Sequence, residues 1–439
     1  MDTNVRIFPD EIIGKTKPLH GVGSGPVTNH FTFDATEEFR DAGIPFGRTH
    51  DIEYPLGMGE FIDIHCIFPD FDKDENDPKS YNFVFTDEYL KAMKAAGTEP
   101  FYRLGATIEH QPIKRYIFPP KDYEKWARVC SHIIAHYNEG WANGFHMGIR
   151  YWEIWNEPDI PQCWQGTQDE IFELYKVASV LLKKEHPEIK IGGLAITSPY
   201  SNMFEPFIKY VSENKLPIDF VSWHWYGNDP REFKKSILKA REIMDAHGLY
   251  DVESICNEWN YVCGWDDMEP AYALHKTAFG AAFMASVICI AHSSPIDKLL
   301  FYDAQLNHSD SWNNIFSPTP STTHAAMRHV KKEVPYYVLW SWNRLYQAGN
   351  AIKTEADDGV YTAAAMDEEG NIYLLIANYS DEGRFNTVKP TNKKVQLNVK
   401  NADVYLMEDG KEFAPSIIKD GTFTLPGNRC AFVKIRAAK

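Results

Sequence analysis

A (β/α)8 TIM barrel followed by a smaller C-terminal all-β, sandwich-like domain is the fold this sequence predicts, on three observations. Short apolar strands alternate with helical patterns eight times between residues 15 and 335. Each of these strands runs out into polar and aromatic residues, and the strand ends are where such a barrel builds its site. Past Pro335 the texture changes to short alternating strands separated by Gly, Asn and Asp turns.

The eight expected strands come in order. Residues 19–23 precede a Gly-rich loop, and 44–49 precede His50 and Asp51. Residues 100–104 precede GATIEH, and 150–155 precede Asn156 and Glu157. Residues 189–194 precede Thr197 and Ser198, and 220–223 precede His224, Trp225 and Tyr226. Residues 252–256 precede Asn257 and Glu258, and 298–301 precede Tyr302 and Asp303. Between them, helices are expected over 86–96 (Thr86 as N-cap, Gly97 after the end), 121–137, 168–184 and 230–247. The uncharged run AFGAAFMASVICIA at 278–291 is too short to span a bilayer and reads as a buried barrel helix. Strands are expected at 361–366, 372–379, 394–399, 403–407, 422–425 and 431–435, with MDEEGNIY as a hairpin turn. The chain thus divides into an N-terminal strand segment, 1–14, joining the β-domain, a catalytic barrel, 15–335, and the β-domain proper, 336–439.

Composition narrows the function. A net charge of −16 gives no basic footprint for nucleic acid and disfavours an anionic membrane surface, which leaves neutral water-soluble partners open. Aromatics make up 14% of the chain, which serves a large core or a cleft of rings that stack on sugar faces. Seven scattered cysteines show neither a disulfide framework nor zinc-ligand spacing and read as free thiols. With no apolar leader after Met1, a cytoplasmic location is expected, or a secreted or periplasmic protein whose leader is removed.

The chemistry concentrates in two segments. YWEIWNEPD at 151–159 ends a strand in Asn156-Glu157-Pro158, and Pro158 biases Glu157 toward an extended backbone at the strand tip. ICNEWN at 255–260 again places Asn-Glu at a strand end. These are the fourth and seventh strands, whose tips face each other across a barrel mouth. Two facing carboxyls are what glycosidic cleavage needs, one protonated to release the leaving oxygen and one ionised to attack. Trp152 and Trp155 flank Glu157, and an apolar setting raises a carboxyl pKa, so Glu157 is assigned as acid/base and Glu258 as nucleophile. Tyr226 is placed to donate to Glu258. Arg48 is open between pairing Glu258 and pairing a buried structural carboxylate. Glu109 and His110 are open between loop and subsite, and Asp303 between loop cap and site. Trp265, Tyr302 and Trp312 are open between core and sugar stacking. The acidic run 70–77 reads as a solvated loop.

With these motifs on the page, the chain resembles clan A glycoside hydrolases, and most of all family 39, the family of β-xylosidases and α-L-iduronidases. WNEPD at 155–159 is similar to the clan's fourth-strand acid/base segment, and CNEWN at 256–260 to its seventh-strand nucleophile segment. DFVSWHWYG at 219–227 resembles the sixth-strand segment that lines the sugar subsite, which implies substrate contacts for His224 and Tyr226. The resemblance implies that Asn156 meets the substrate 2-hydroxyl, and RTHD at 48–51 implies a contact from His50. The long acidic loop after the second strand and the GATIEH turn depart from the family pattern.

The reading is therefore a retaining, exo-acting, β-xylosidase-like glycoside hydrolase with substrate contacts from Asn156, His224, Tyr226, His50, Trp265 and Tyr302. It needs no metal and no organic cofactor, and it takes an oligosaccharide or glycoside as its partner, with a homo-oligomer possible. The alternatives are another sugar (arabinoside, galactoside, uronide or an internal polysaccharide bond), a non-catalytic carbohydrate-binding barrel, or a metal-dependent isomerase. A uronide would call for Arg48, Arg103 or Arg115 in the cleft.

Overall fold

The computed structural model describes residues 2–27, 33–52, 60–305, 312, 315–318, 330–381, 391–399, 401–411 and 413–437. Eight parallel strands close into a barrel: β2 (Gly21–Gly23), β3 (Phe46–Thr49), β4 (Glu99–Leu104), β5 (Tyr151–Ile154), β6 (Lys190–Ile196), β7 (Phe220–Gly227), β8 (Glu253–Tyr261) and β9 (Lys298–Phe301). Each falls on an expected strand. β7 and β8 run on past their expected ends, so His224, Tyr226 and Glu258 are strand residues and not loop residues.

The helices around the barrel are α1 (Thr36–Ala42), α2 (Ile64–Ile67), α3 (Val84–Ala96), α4 (Tyr123–Asn138), α5 (Gln168–Glu185), α6 (Phe204–Glu213), α7 (Pro230–Ala246), α8 (Glu269–His275) and α9 (Ala278–His292). Local chemistry sets their ends. Thr167 and Glu170 form a reciprocal capping box on α5. Asp229 caps α7, whose first residue is Pro230. Thr86 does not cap α3, contrary to expectation. The helix begins at Val84, and the buried Thr86 hydroxyl donates to Phe61 O instead.

α9 is buried nearly all round because it is covered on both sides. One side meets α7 and the barrel, the other meets the second domain. That explains a helix without a polar face. No single helix among the described residues is long and apolar enough to cross a membrane.

The second domain is one continuous sheet. A small ribbon, β10 (Phe316–Pro318) with β11 (Val330–Lys332), and α10 (Tyr336–Ala348) lead into it. Its later strands are β12 (Asn350–Ala356), β13 (Val360–Met366), β14 (Ile372–Asn378), β15 (Lys393–Leu397), β16 (Ala402–Met407), β17 (Ala414–Ser416), β18 (Thr422–Leu425) and β19 (Arg429–Ile435). The N-terminal strand β1 (Asp2–Lys15) pairs antiparallel with β12 and parallel with β15. Strand order is β17-β16-β19-β14-β13-β12-β1-β15-β18. Val395 and Phe423 at one end share a core with Val404 and Val433 at the other. The sheet therefore curls over its own interior, which is the sandwich-like character the alternation predicted.

The barrel interior is layered. Phe46, Phe101, Tyr151, Phe220, Ile255 and Leu300 close the bottom as an apolar layer. Side chains repeat every two residues along a strand, so two positions further on the same faces carry Arg48, Arg103, Glu153, Ser222, Asn257 and Tyr302. A polar layer thus lies directly beneath the mouth.

Candidate active site

Alternation allows only every second residue to face inward, yet both Asn-Glu pairs need two neighbours at the mouth. The backbone breaks the alternation in two ways. In β8 the register against β7 shifts at Asn257, so that His224 pairs with Glu258. At the end of β5, Trp155 and Glu157 take left-handed conformations with φ 69° and 45°. Glu157 is therefore not extended, contrary to the expectation from Pro158. Its amide donates to Ala195 O at 3.0 Å, which holds the turned-in backbone. Such a conformation in a non-glycine residue costs about 1–3 kcal/mol and occurs where surrounding structure enforces it.

The eight residues singled out from sequence, Asn156, Glu157, Glu258, His224, Tyr226, His50, Trp265 and Tyr302, all line one cavity of about 900 Å³. At its centre, donor atoms of Glu157, His224 and Glu258 all lie within 4.8 Å of one another. His224 Nδ1 is 2.6 Å from Glu157 Oε1 and 3.4 Å from Glu258 Oε2. Tyr226 donates its hydroxyl to Glu258 Oε2 at 2.7 Å. His50 Nδ1 accepts from Arg103 Nε at 3.2 Å, which leaves the imidazole hydrogen on Nε2, 3.6 Å from Glu258 Oε1. Tyr302 donates to Asp51 Oδ2 at 2.6 Å. Tyr226, Trp265, Tyr302 and Trp312 form a collar of edge-to-face rings, with Trp265 62% exposed at the rim.

Burial pushes the Glu157 carboxyl up to about 8, with nearby Asp159 adding to it. Burial also raises Glu258, against the opposing pull of the Arg48 guanidinium. Burial lowers the His224 imidazole to about 4, so the ring is neutral at pH 7. The two tryptophans thought to desolvate Glu157 pack elsewhere: Trp152 stacks on Tyr102, and Trp155 meets Trp164 edge-on.

Arg48 joins both partners that the sequence left as alternatives. Its Nη1 donates to Glu258 Oε1 at 2.5 Å and its Nε to Glu153 Oε2 at 2.7 Å, while Nη2 donates to Asn156 Oδ1 at 2.7 Å. Glu153 went unremarked in the sequence, although a carboxylate inside an otherwise apolar buried strand was a usable signal. Arg103 is held by Asp63 and Thr107. Glu109 accepts from the amides of Arg115 and Tyr116 and shapes its loop, whereas His110 reaches the cavity. Asp303 is buried, does not line the cavity, and accepts from the Gln305 backbone as a loop cap. The wall also includes Thr197, Ser198, Tyr200, Glu232 and Ser236, which carry no motif.

The Glu157, His224 and Glu258 donors were not foreseen as a set close enough to share a cation. Arg48 already supplies a fixed positive charge on Glu258 at that point, and a dication there would meet its repulsion.

The site lies at the C-terminal mouth of a (β/α)8 barrel, and residues 5–302 of the chain match glycosyl hydrolases family 39. The chain belongs to that family. It is 29% identical over 264 residues to a β-xylosidase of Geobacillus stearothermophilus, covering 54% of this chain and 51% of that one. It is 22% identical over 286 residues to an α-1,4-L-rhamnosidase of Formosa agariphila, covering 64% and 55%. The chain thus spans about half the length of the curated relatives it matches. In fold, it superposes on a glucosidase from Croceicoccus marinus with a TM-score of 0.77 over 100% of both chains, at 20% identity.

Proposed function

We propose that this family 39 chain is a retaining, exo-acting glycoside hydrolase for a neutral, β-xyloside-like substrate. The observation that carries the reading is the carboxyl separation. One oxygen of Glu157 lies within 4.8 Å of one oxygen of Glu258, an approach that favours the roughly 5–5.5 Å spacing of a retaining pair over the roughly 6.5–9.5 Å of an inverting one. Glu258 attacks the anomeric carbon, the bond to the leaving oxygen breaks with its electron pair on that oxygen, and Glu157 supplies the proton. Glu157 then takes a proton from water, whose oxygen displaces Glu258 from the sugar. Tyr226 and Arg48 orient the nucleophile, and Asn156, held by Arg48 at Oδ1 and facing Cys163 Sγ with Nδ2, is the wall residue beside them for a substrate hydroxyl.

The lack of a free cation among the described lining residues supports a neutral sugar over a uronide. Among the described lining residues there is no Arg or Lys, and Arg48 and Arg103 are engaged with buried partners. Part of the long second-strand loop, thought to close an exo pocket, lies outside the described residues.

The test is turnover of a p-nitrophenyl glycoside panel, β-xyloside first, beside Glu157→Ala and Glu258→Ala. Retention by the wild type is expected, with an inactive Glu258→Ala rescued by azide to the inverted product. Undiminished activity in Glu258→Ala overturns the assignment. Binding of sugars without turnover of any panel member or natural oligosaccharide favours a binding barrel.

A further inference from the structure

Glu153 is fully buried beneath the cavity and does not line it. It accepts from Arg48 Nε at 2.7 Å and from Asn257 Nδ2 at 2.5 Å. Arg48 is thus shared between two carboxylates, one beneath the site and one at its centre. We propose that Glu153 is a positioning residue for the nucleophile: it holds Arg48 and balances its charge while Glu258 is esterified. The inference rests on the double-displacement reading above.

The charge count makes the case. In the free enzyme, Arg48 faces two carboxylates. When Glu258 bonds to the anomeric carbon it loses its charge. Without Glu153, that step would leave a buried guanidinium with no carboxylate in contact, beside a sugar that is itself cationic in the flanking transition states. A buried ion that loses its partner is strongly disfavoured. With Glu153 in place the glycosyl-enzyme keeps a balanced pair. Glu153 also divides the pull of Arg48, so Glu258 stays a better nucleophile than a carboxylate held by the whole cation.

Glu153→Gln tests this at nearly constant shape. Asn257 Oδ1 has no partner, so a turned Asn257 amide can accept from the new one. The expected result is a loss in kcat/KM of about a hundredfold. The deciding readout is the titration of Glu258, followed by 13C NMR of glutamate-labelled protein and assigned by its loss in Glu258→Gln. The charged and titratable groups around Glu258 are Arg48, His50, Asp51, Glu157, His224 and Tyr226, with Cys163, Cys256, Tyr302 and Asp303 beyond them, and each is kept in the variant. Glu258 is expected to titrate at lower pH in Glu153→Gln than in the wild type. Glu153→Asp, which sets the charge one methylene back, should fall between the two in both readouts, and it carries the test should the Gln variant not fold. An unmoved Glu258 titration, or an Asp variant as slow as Gln, overturns the proposal. If the wild type cleaves nothing, the functional reading fails by itself, while the titration still decides whether Glu153 shares Arg48.

Discussion

His224 Nδ1 sits 2.6 Å from Glu157 Oε1 and 3.4 Å from Glu258 Oε2, so one imidazole faces both carboxyls. With the ring neutral and Glu157 raised to about 8, the short contact carries a proton at neutral pH. Glu157 is then loaded as an acid. The kcat/KM of the wild type should fall as pH rises through about 8, because the deprotonated carboxyl cannot release the leaving oxygen. A profile flat through that region on a poor leaving group would remove Glu157 from the acid role.

The same shift has a stability consequence. The folded value of about 8 lies above the ordinary glutamate value of 4.5, so between them the folded state holds a proton that the unfolded chain has released. Stability therefore falls as pH rises across that window. Glu157→Gln has no such proton. Its stability should gain on the wild type progressively from about pH 5 to 8, by on the order of a few kcal/mol, seen as a widening gap in Tm. Parallel melting curves across this range would contradict the burial of an uncharged Glu157.

Tyr226→Phe removes one hydroxyl from Glu258 and leaves the ring contacts with Trp265 and Trp312. A hydrogen bond to a charged acceptor is worth about 1.5–3 kcal/mol, so kcat should drop about ten- to hundredfold with little change in KM. A kcat within twofold of the wild type would mean that Arg48 holds the nucleophile without help.

Trp265 separates binding from folding because it is exposed at the rim. Trp265→Ala should leave Tm nearly unchanged and raise KM several-fold, since an aromatic contact contributes about 0.5–1.5 kcal/mol. Unchanged KM on both aryl glycosides and oligosaccharides would assign this ring to the loop and not to the substrate.

Strand positions were legible because parallel barrel strands are continuous apolar runs, and Asn156-Glu157 and Asn257-Glu258 marked two of their ends. The strand ends themselves were not. The register shift at Asn257 and the left-handed Glu157 oppose local preference and are set by neighbouring strands, through contacts such as Glu157 N to Ala195 O. Arg48 was visible as a cation near the mouth. Its triple engagement was not, because Glu153, Asn156 and Glu258 meet it only across the closed barrel. Thr86 failed as a cap for a related reason: a tertiary partner, Phe61 O, claimed the hydroxyl.

At the opposite end of the barrel, Glu253 collects Lys190, Lys298 Nζ at 2.6 Å and the Tyr151 hydroxyl at 3.1 Å. Tyr151 belongs to the apolar bottom layer and the charged groups lie at its edge, far along the strands from Glu258, where a (β/α)8 barrel keeps stability and not chemistry. Burial works against the Glu253 charge, but the two lysines outweigh it and hold the carboxyl below its usual range. Its contribution is therefore present above the unfolded value and lost as pH falls through the lowered one. Glu253→Gln leaves two ammonium groups facing each other without the carboxylate that binds both, and only Asp297 still acts on Lys298. It should lower stability by about 1–3 kcal/mol at neutral pH, less toward acid, while kcat and KM stay at wild-type values. Denaturant melts at pH 7 and pH 4 beside the glycoside assay check both halves. A kcat that falls with Glu253→Gln would show that the bottom layer transmits its packing to the mouth, and the division between the two ends of the barrel would not hold.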